Sequence, residues 1–282
     1  MHRNFTHRPW SFLPILSLLF LSSCMPEKEI GKTFVQNASG INIQLFTTDM
    51  LYKENHKGEV IPGFDSLTPS RQDSALYASS RFIRYVDDSA YLVTYINNFI
   101  DELRTLGFKV YLDTSLESFL RAQSQSYVVN MAQLELDEYF YPFEDSEDFG
   151  DSTYFKRVEL NAVDASSWFE VNKLNASRPV KTILYSAFTA TDELQSRFSN
   201  NLLLGDVVYT YKIDSLKVDD IYDLAAYAGK KNASYLFDFF MNQYIAYHMP
   251  QGMEPMGLYH YNRFQKSVVR NDEEQFEVID SK

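Results

Sequence analysis

The sequence predicts an α+β fold: a mostly antiparallel sheet with helices packed on one face, in one domain over residues 41–270. Three observations carry that prediction. A helix-period stretch runs from Asp88 to Leu106. A β-rich region follows from Tyr127 to Ile213, its runs joined by polar links. A helical final quarter closes the domain. Strands grouped in this way suit an antiparallel sheet and not alternating βα units.

Ile41-Asn42-Ile43-Gln44-Leu45 alternates and reads as the first strand. Val60 to Arg71 carries Pro62, Gly63 and Pro69 and reads as a loop, and Arg81 to Val86 reads as a second strand. Asp87-Asp88-Ser89 offers N-cap oxygens to a helix whose Leu92, Ile96, Phe99, Ile100, Leu103 and Leu106 share one face. Gly107 supplies its left-handed end, and Phe108 to Leu112 is the strand that returns. Thr114-Ser115-Leu116-Glu117 is a capping box opening a short helix to Gln123. Strands are then predicted over Tyr127–Tyr141, Tyr154–Val163, Trp168–Val171, Val180–Thr189 and Val207–Ile213, with an acidic turn at Glu144–Asp151. Two helices close the fold: Val218–Ala228 stopped by Gly229, and Ser234–His248 stopped by Pro250. Residues 271–282 form a charged tail that frays.

The first residues read MHRNFTHRPWSFLPILSLLFLSSC. Arg3 and Arg8 precede an apolar stretch of about eleven residues, too short for a bilayer core and suited to a signal peptide over residues 1–23. Leu21-Ser22-Ser23-Cys24 resembles the lipobox of bacterial lipoproteins. The resemblance implies cleavage before Cys24, a diacylglyceryl group on its thiol and an acyl chain such as palmitate on its amine. Cys24 is the only cysteine, so no internal disulfide competes for it. Met25 to Gly40 lacks hydrophobic periodicity, and residues 24–40 read as a lipidated tether.

Removing residues 1–23 leaves 24 basic residues (26 − 2) against 38 acidic ones, a formal charge of −14. Such a surface repels nucleic acid, which is excluded as a partner, and repels anionic lipid headgroups as well. The 22 Phe and 20 Tyr argue for a packed core and against a disordered polymer.

No catalytic or metal site is predicted, and no cofactor. The cleaved chain holds three histidines, His56, His248 and His260, and carries no H-E-x-x-H, C-x-x-C or G-x-S-x-G. Gly31-Lys32-Thr33 lacks the first glycine of a phosphate loop, and the acidic run from Asp145 lacks the twelfth-position Glu of a calcium loop. Glu135 and Asp137 share a strand face, the arrangement of a glycosidase pair, but read as solvent-facing. The methionines between His248 and His260 read as core cover. Trp168, Phe169, Tyr244 and Tyr247 are the candidate lining of an aromatic groove for lipid or glycan. Asp-Ser pairs such as Asp65-Ser66 and Asp214-Ser215 resemble a bacterial O-glycosylation sequon and equally suit turns.

The order of elements behind the anchor resembles envelope lipoproteins that assist lipid or lipopolysaccharide transport, including the auxiliary lipoproteins of ABC-type exporters. It implies a non-enzymatic accessory or assembly factor, held to the membrane by lipid and contacting envelope proteins, lipid or glycan. A glycan- or small-ligand-binding surface lipoprotein is the alternative. Met25 after the cysteine implies the outer membrane, and Glu27-Lys28-Glu29 is a charged candidate for a surface-export signal.

Overall fold

The computed structural model describes residues 25–122, 125–174, 181–201, 206–271 and 275–279. The signal segment 1–23, Cys24, Gln123, Val180 and much of the expected tail lie outside them. In chain order the helices are α1 (Pro26–Asn37), α2 (Pro69–Ser79), α3 (Asp88–Thr105), α4 (Leu116–Leu120) and α5 (Val218–His248). The strands are β1 (Asn42–Phe46), β2 (Leu51–Asn55), β3 (Lys109–Tyr111), β4 (Ser126–Phe149), β5 (Ser152–Lys173) and β6 (Thr182–Thr191). They continue as β7 (Glu193–Asn201), β8 (Asp206–Asp214), β9 (Leu258–Asn262), β10 (Ser267–Asn271) and β11 (Glu277–Ile279). The class is α+β with mostly antiparallel sheets, as predicted.

The chain divides into two compact units. The smaller takes the chain up to Asn37 together with Phe240–Asp272, and the larger takes Ala38–Phe239 with the residues from Glu273. Residues 26–37 are not a tether but α1. Its inward face is Glu27, Gly31 and Phe34, an acid, a glycine and one aromatic, so correct helical spacing carries no apolar pattern. Gly31 is there for close approach, since a Cβ would stand 3.0 Å from Val268 Cγ1. In the same unit the Phe34 ring lies 5.6 Å from that of Tyr244. Asn242 clamps the hairpin β9–β10 by donating to the Tyr259 carbonyl and accepting from its amide, both at 2.8 Å.

The larger unit is built on a seven-stranded sheet of order β11-β6-β5-β4-β1-β3, with β2 also paired to β4. β1 runs parallel to Ser126–Asn130 of β4, and β2 parallel to Leu134–Glu138. A bulge between Met131 and Gln133 shifts the alternation so that Met131 and Leu134 both face the core. β5 is a single strand where two are predicted, because the polar link Asp164–Ser167 is paired on both sides by β4 and β6. The described end of the expected tail, Glu277–Ile279, is the strand β11 on the free edge of β6.

α3 is capped as predicted, by Asp87 accepting from the Ala90 amide at 2.7 Å, and Gly107 follows with φ +103°. Gly229 does not stop a helix. It lies inside α5, where a Cβ would stand 2.4 Å from the Tyr95 carbonyl of α3, so glycine lets two helices cross in contact. The same junction buries a polar relay in which Ser186 donates to Asn232, Asn232 to the Tyr95 hydroxyl (2.6 Å), and Tyr95 meets Ser167 at 2.9 Å.

Arg81 to Val86 is not a strand but a helical turn over Ile83–Tyr85. Its amides serve Glu138, a fully buried residue of β4. The Glu138 carboxylate accepts five hydrogen bonds, from Lys57 Nζ, Ser80 Oγ and the amides of Arg81, Phe82 and Ile83, at 2.8 to 3.2 Å. Burial pushes its pKa up, but Lys57, the Arg81 amide, Ser80 and the Phe82 amide outweigh burial and hold it below the ordinary glutamate value. Glu138→Gln should therefore cost about 3–5 kcal/mol in urea unfolding, because Lys57 loses its charge partner and amide hydrogens meet donors. The folded-state value being depressed, wild type keeps this stability above the ordinary glutamate range. It loses it as pH falls through the lower folded value, while the variant shows no such loss.

Candidate functional site

Side chains alternate along β5, so Phe169 and Ser167 face the α3 side and Trp168, Ser166 and Asp164 face the opposite side of the sheet. That second face presents Gln133, Glu135, Asp137 and Tyr139 from β4, Tyr185 from β6, and Tyr52 and Glu54 from β2. Cross-strand register puts Glu54, Asp137 and Asp164 directly opposite one another on three neighbouring strands. Like charges placed so are destabilising. The basic group offered to this row is His56, just past β2, whose Nε2 is 3.1 Å from Asp137 Oδ1 and 3.8 Å from Glu54 Oε2. Tyr139 donates to Asp164 at 3.1 Å, and Gln133 to Glu135 at 2.8 Å.

Both central carboxyls hold protons more tightly than usual. Asp137 is raised first by burial, with Glu54 and Asp164 adding and His56 opposing. Glu135 is raised first by burial and then by Asp137. Ligand atoms of Glu54, His56 and Asp137 lie within 4.8 Å of one another, close enough to share one divalent cation, and mixed imidazole and carboxylate donors suit zinc or manganese. His56 also borders two surface depressions. One, of about 690 Å³, is lined by Asn55, Gly58, Pro62 and Phe64 among others, and the second, of about 420 Å³, by Lys53, Leu76 and Tyr77.

The four groove candidates do not line one groove. Trp168 is half-buried with its ring 4.8 Å from Tyr185, on the second face. Phe169, its neighbour, points the other way and is 0% exposed, stacked at 5.3 Å on Phe99. Tyr244 and Tyr247 belong to the smaller unit, where Tyr244 lies 3.9 Å from the His248 ring and Tyr247 is 85% exposed. Met253 and Met256 are exposed rather than covering a core. Glu27, in the export-signal candidate, is buried and accepts from the Met256 amide. Asp145 accepts from Ser196 and Tyr209, which occupies a carboxylate that a calcium loop would need. Cys24 lies outside the described residues.

Sequence reasoning found Glu135, Asp137 and Trp168 but not His56 or Glu54. β2 reads Leu-Tyr-Lys-Glu-Asn, too polar to stand out, and only the two-residue spacing of Glu54 and His56 hints at a shared face. No family model matches the sequence, and neither does any curated protein.

Because the Glu135 pKa is raised on folding, its charge opposes folding at pH 7. Glu135→Gln should stabilise the larger unit there by no more than about 0.5 kcal/mol, since water screens a half-exposed pair. The gain should fade as pH falls through the raised value, where wild type is neutral too. Paired thermal melts at low salt, at pH 7 and near pH 4, check both the sign and its fading.

Proposed function

We propose that this protein is a lipid-anchored lipoprotein of the bacterial outer membrane, working without catalysis as an accessory or assembly factor for an envelope transport complex. The anchor rests on Leu21-Ser22-Ser23-Cys24 and on the absence of any second cysteine. The contact role rests on one structural observation, a projecting two-stranded arm. β4 and β5 stay paired to Phe149 and Ser152, while β2 stops opposite Glu138 and β6 opposite Ala162. Beyond those points the hairpin runs on for about 30 Å at ~3.3 Å per residue.

A bare two-stranded ribbon is marginal in water. This one is braced by the hairpin β7–β8, through the Asp145 contacts to Ser196 and Tyr209. Yet the two hairpins leave Tyr141, Tyr154, Phe155, Val208 and Tyr211 exposed, Phe155 at 63%. Aromatic side chains held out on a braced ribbon are what a protein partner anchors on. In this reading the long helices lie on one face of the sheet, leaving the Trp168 face available too.

The first test is the N-terminal peptide of protein purified from membranes. Its mass should equal a chain starting at Cys24 with diacylglyceryl and amide-linked acyl groups, and a free thiol there would sink the proposal.

One observation favours glycan binding as a second reading. Trp168 and Tyr185 form an aromatic platform edged by Glu170, Glu135 and Gln133, the mix of ring face and hydrogen-bonding groups that grips sugars. Cleavage before Cys24 removes Trp10 and leaves Trp168 as the sole tryptophan. Titration with envelope glycans should then shift its fluorescence in wild type and lose affinity at least about tenfold in Tyr185→Ala, the scale of one stacking contact. An unchanged spectrum at saturating glycan removes this reading.

A further inference from the structure

In the smaller unit five large exposed apolar side chains gather at one end, while Phe264 (91% exposed) stands in the β9–β10 turn at the other. α1 and the last turns of α5 run antiparallel, since Gly31 meets Ile245 and Phe34 meets Tyr244. The start of α1 therefore lies beside the end of α5. The Glu27 carboxylate, accepting from the Met256 amide at 3.3 Å, brings the connection after Pro250 to the same place. Gly257 contacts the Arg270 side chain, so the open end of the β9–β10 hairpin is there as well. The residues exposed at this end are Met25 (41%), Tyr247 (85%), Met253 (55%), Met256 (62%) and Leu258 (51%). Met25 is the residue that follows Cys24.

We infer that this end of the smaller unit is a membrane-seating surface that rests on the interface of the bilayer holding the anchor. The inference rests on the lipid-anchor reading of Cys24. Flexible methionines and a tyrosine with a polar tip suit the boundary between acyl chains and headgroups. Charge selects the same occupant. Among its described residues the smaller unit has five basic side chains, Lys28, Lys32, Arg263, Lys266 and Arg270, against the acids Glu27, Glu29 and Glu254. Glu27 is buried, Glu29 and Lys32 pair and cancel, and Arg263 and Lys266 flank the β9–β10 turn, so the bases left toward the seating end are Lys28 and Arg270. The cleaved chain as a whole carries 24 basic against 38 acidic residues, so the smaller unit is a locally basic exception. An anionic lipid surface attracts such a unit and repels the remainder.

The test uses the full acylated chain, extracted from membranes and reconstituted in vesicles of phosphatidylethanolamine and phosphatidylglycerol. With Cys24 acylated, a cysteine introduced at Met256 is the one free thiol and takes a bimane label. Met253→Cys is a second probe, and Phe264→Cys, exposed in the β9–β10 turn at the opposite end of the same unit, is the control. All three positions are exposed, so labelling leaves the core intact. Lipids carrying a nitroxide just below the headgroup should quench the Met256 and Met253 labels about twofold or more and leave the Phe264 label bright. No quenching at 256 and 253, with acyl groups present in the N-terminal mass spectrum, overturns the seating surface and leaves the anchor standing. A bare Cys24 in that spectrum overturns both.

Discussion

A carboxylate taken out of water without partners costs several kcal/mol, and Glu138 is wholly buried in the middle of the longest strand. The local architecture follows from satisfying it. Three consecutive amides, Arg81 to Ile83, can reach one carboxylate only where the backbone coils, so the segment before α3 is a helical turn. Lys57 supplies the countercharge from the chain just past β2 and places its ammonium over the Phe140 ring. Lys57 also donates to Asn161, Asn161 donates to Asp192, and Asp192 accepts from the Leu216 amide, two residues before α5. One buried polar chain thus ties β2, β4, β5, the start of β7 and the entry to α5. A slip of any strand by one residue would break several bonds at once, which fixes register more firmly than apolar packing alone.

That network explains where the sequence was legible and where it was not. β1, α3, β3 and β8 were readable because local periodicity and caps agree with tertiary packing there. Arg81–Val86 reads as a strand because Phe82, Ile83, Tyr85 and Val86 are β-prone residue types, but the amides are claimed by a residue far along the chain. Gly229 reads as a stop when only the chain is seen, whereas its purpose is the crossing with Tyr95. α1 was hidden because it buries an acid and a glycine, and β2 because it is polar. In each case the missing information is a contact distant in sequence. The candidate site divides in the same way. The pair Glu135 and Asp137 was visible from spacing within one strand, and His56 was not, since it joins them only through the parallel pairing of β2 with β4.

The acidic row on the second face is a cost that the fold carries. Glu54, Asp137 and Asp164 oppose one another across neighbouring strands, with one imidazole at one end. The core side of those same strands is fully compensated, from the Glu138 network to the Tyr95 relay. On these three strands the buried polar groups find partners, whereas the Gln44 amide on neighbouring β1 is buried without one, and charge repulsion is left where solvent or a bound cation can absorb it. The division leaves the uncompensated face with charge still open to a counter-ion, while the compensated one holds its shape.

Finding α1 directly after Met25 changes what the proposed anchor does. A flexible tether over residues 24–40 would let the domain sample a wide shell above the membrane and would dilute it accordingly. A helix that starts at Pro26 and is pinned through Phe34 and Gly31 leaves almost no slack between lipid and fold. Under the anchor proposal, reach must then come from folded parts instead of from linker. The β4–β5 arm is a candidate for that role, being long, braced by a second hairpin and carrying exposed aromatic side chains. An arm already ordered by its bracing hairpin has little ordering entropy left to lose when a partner docks.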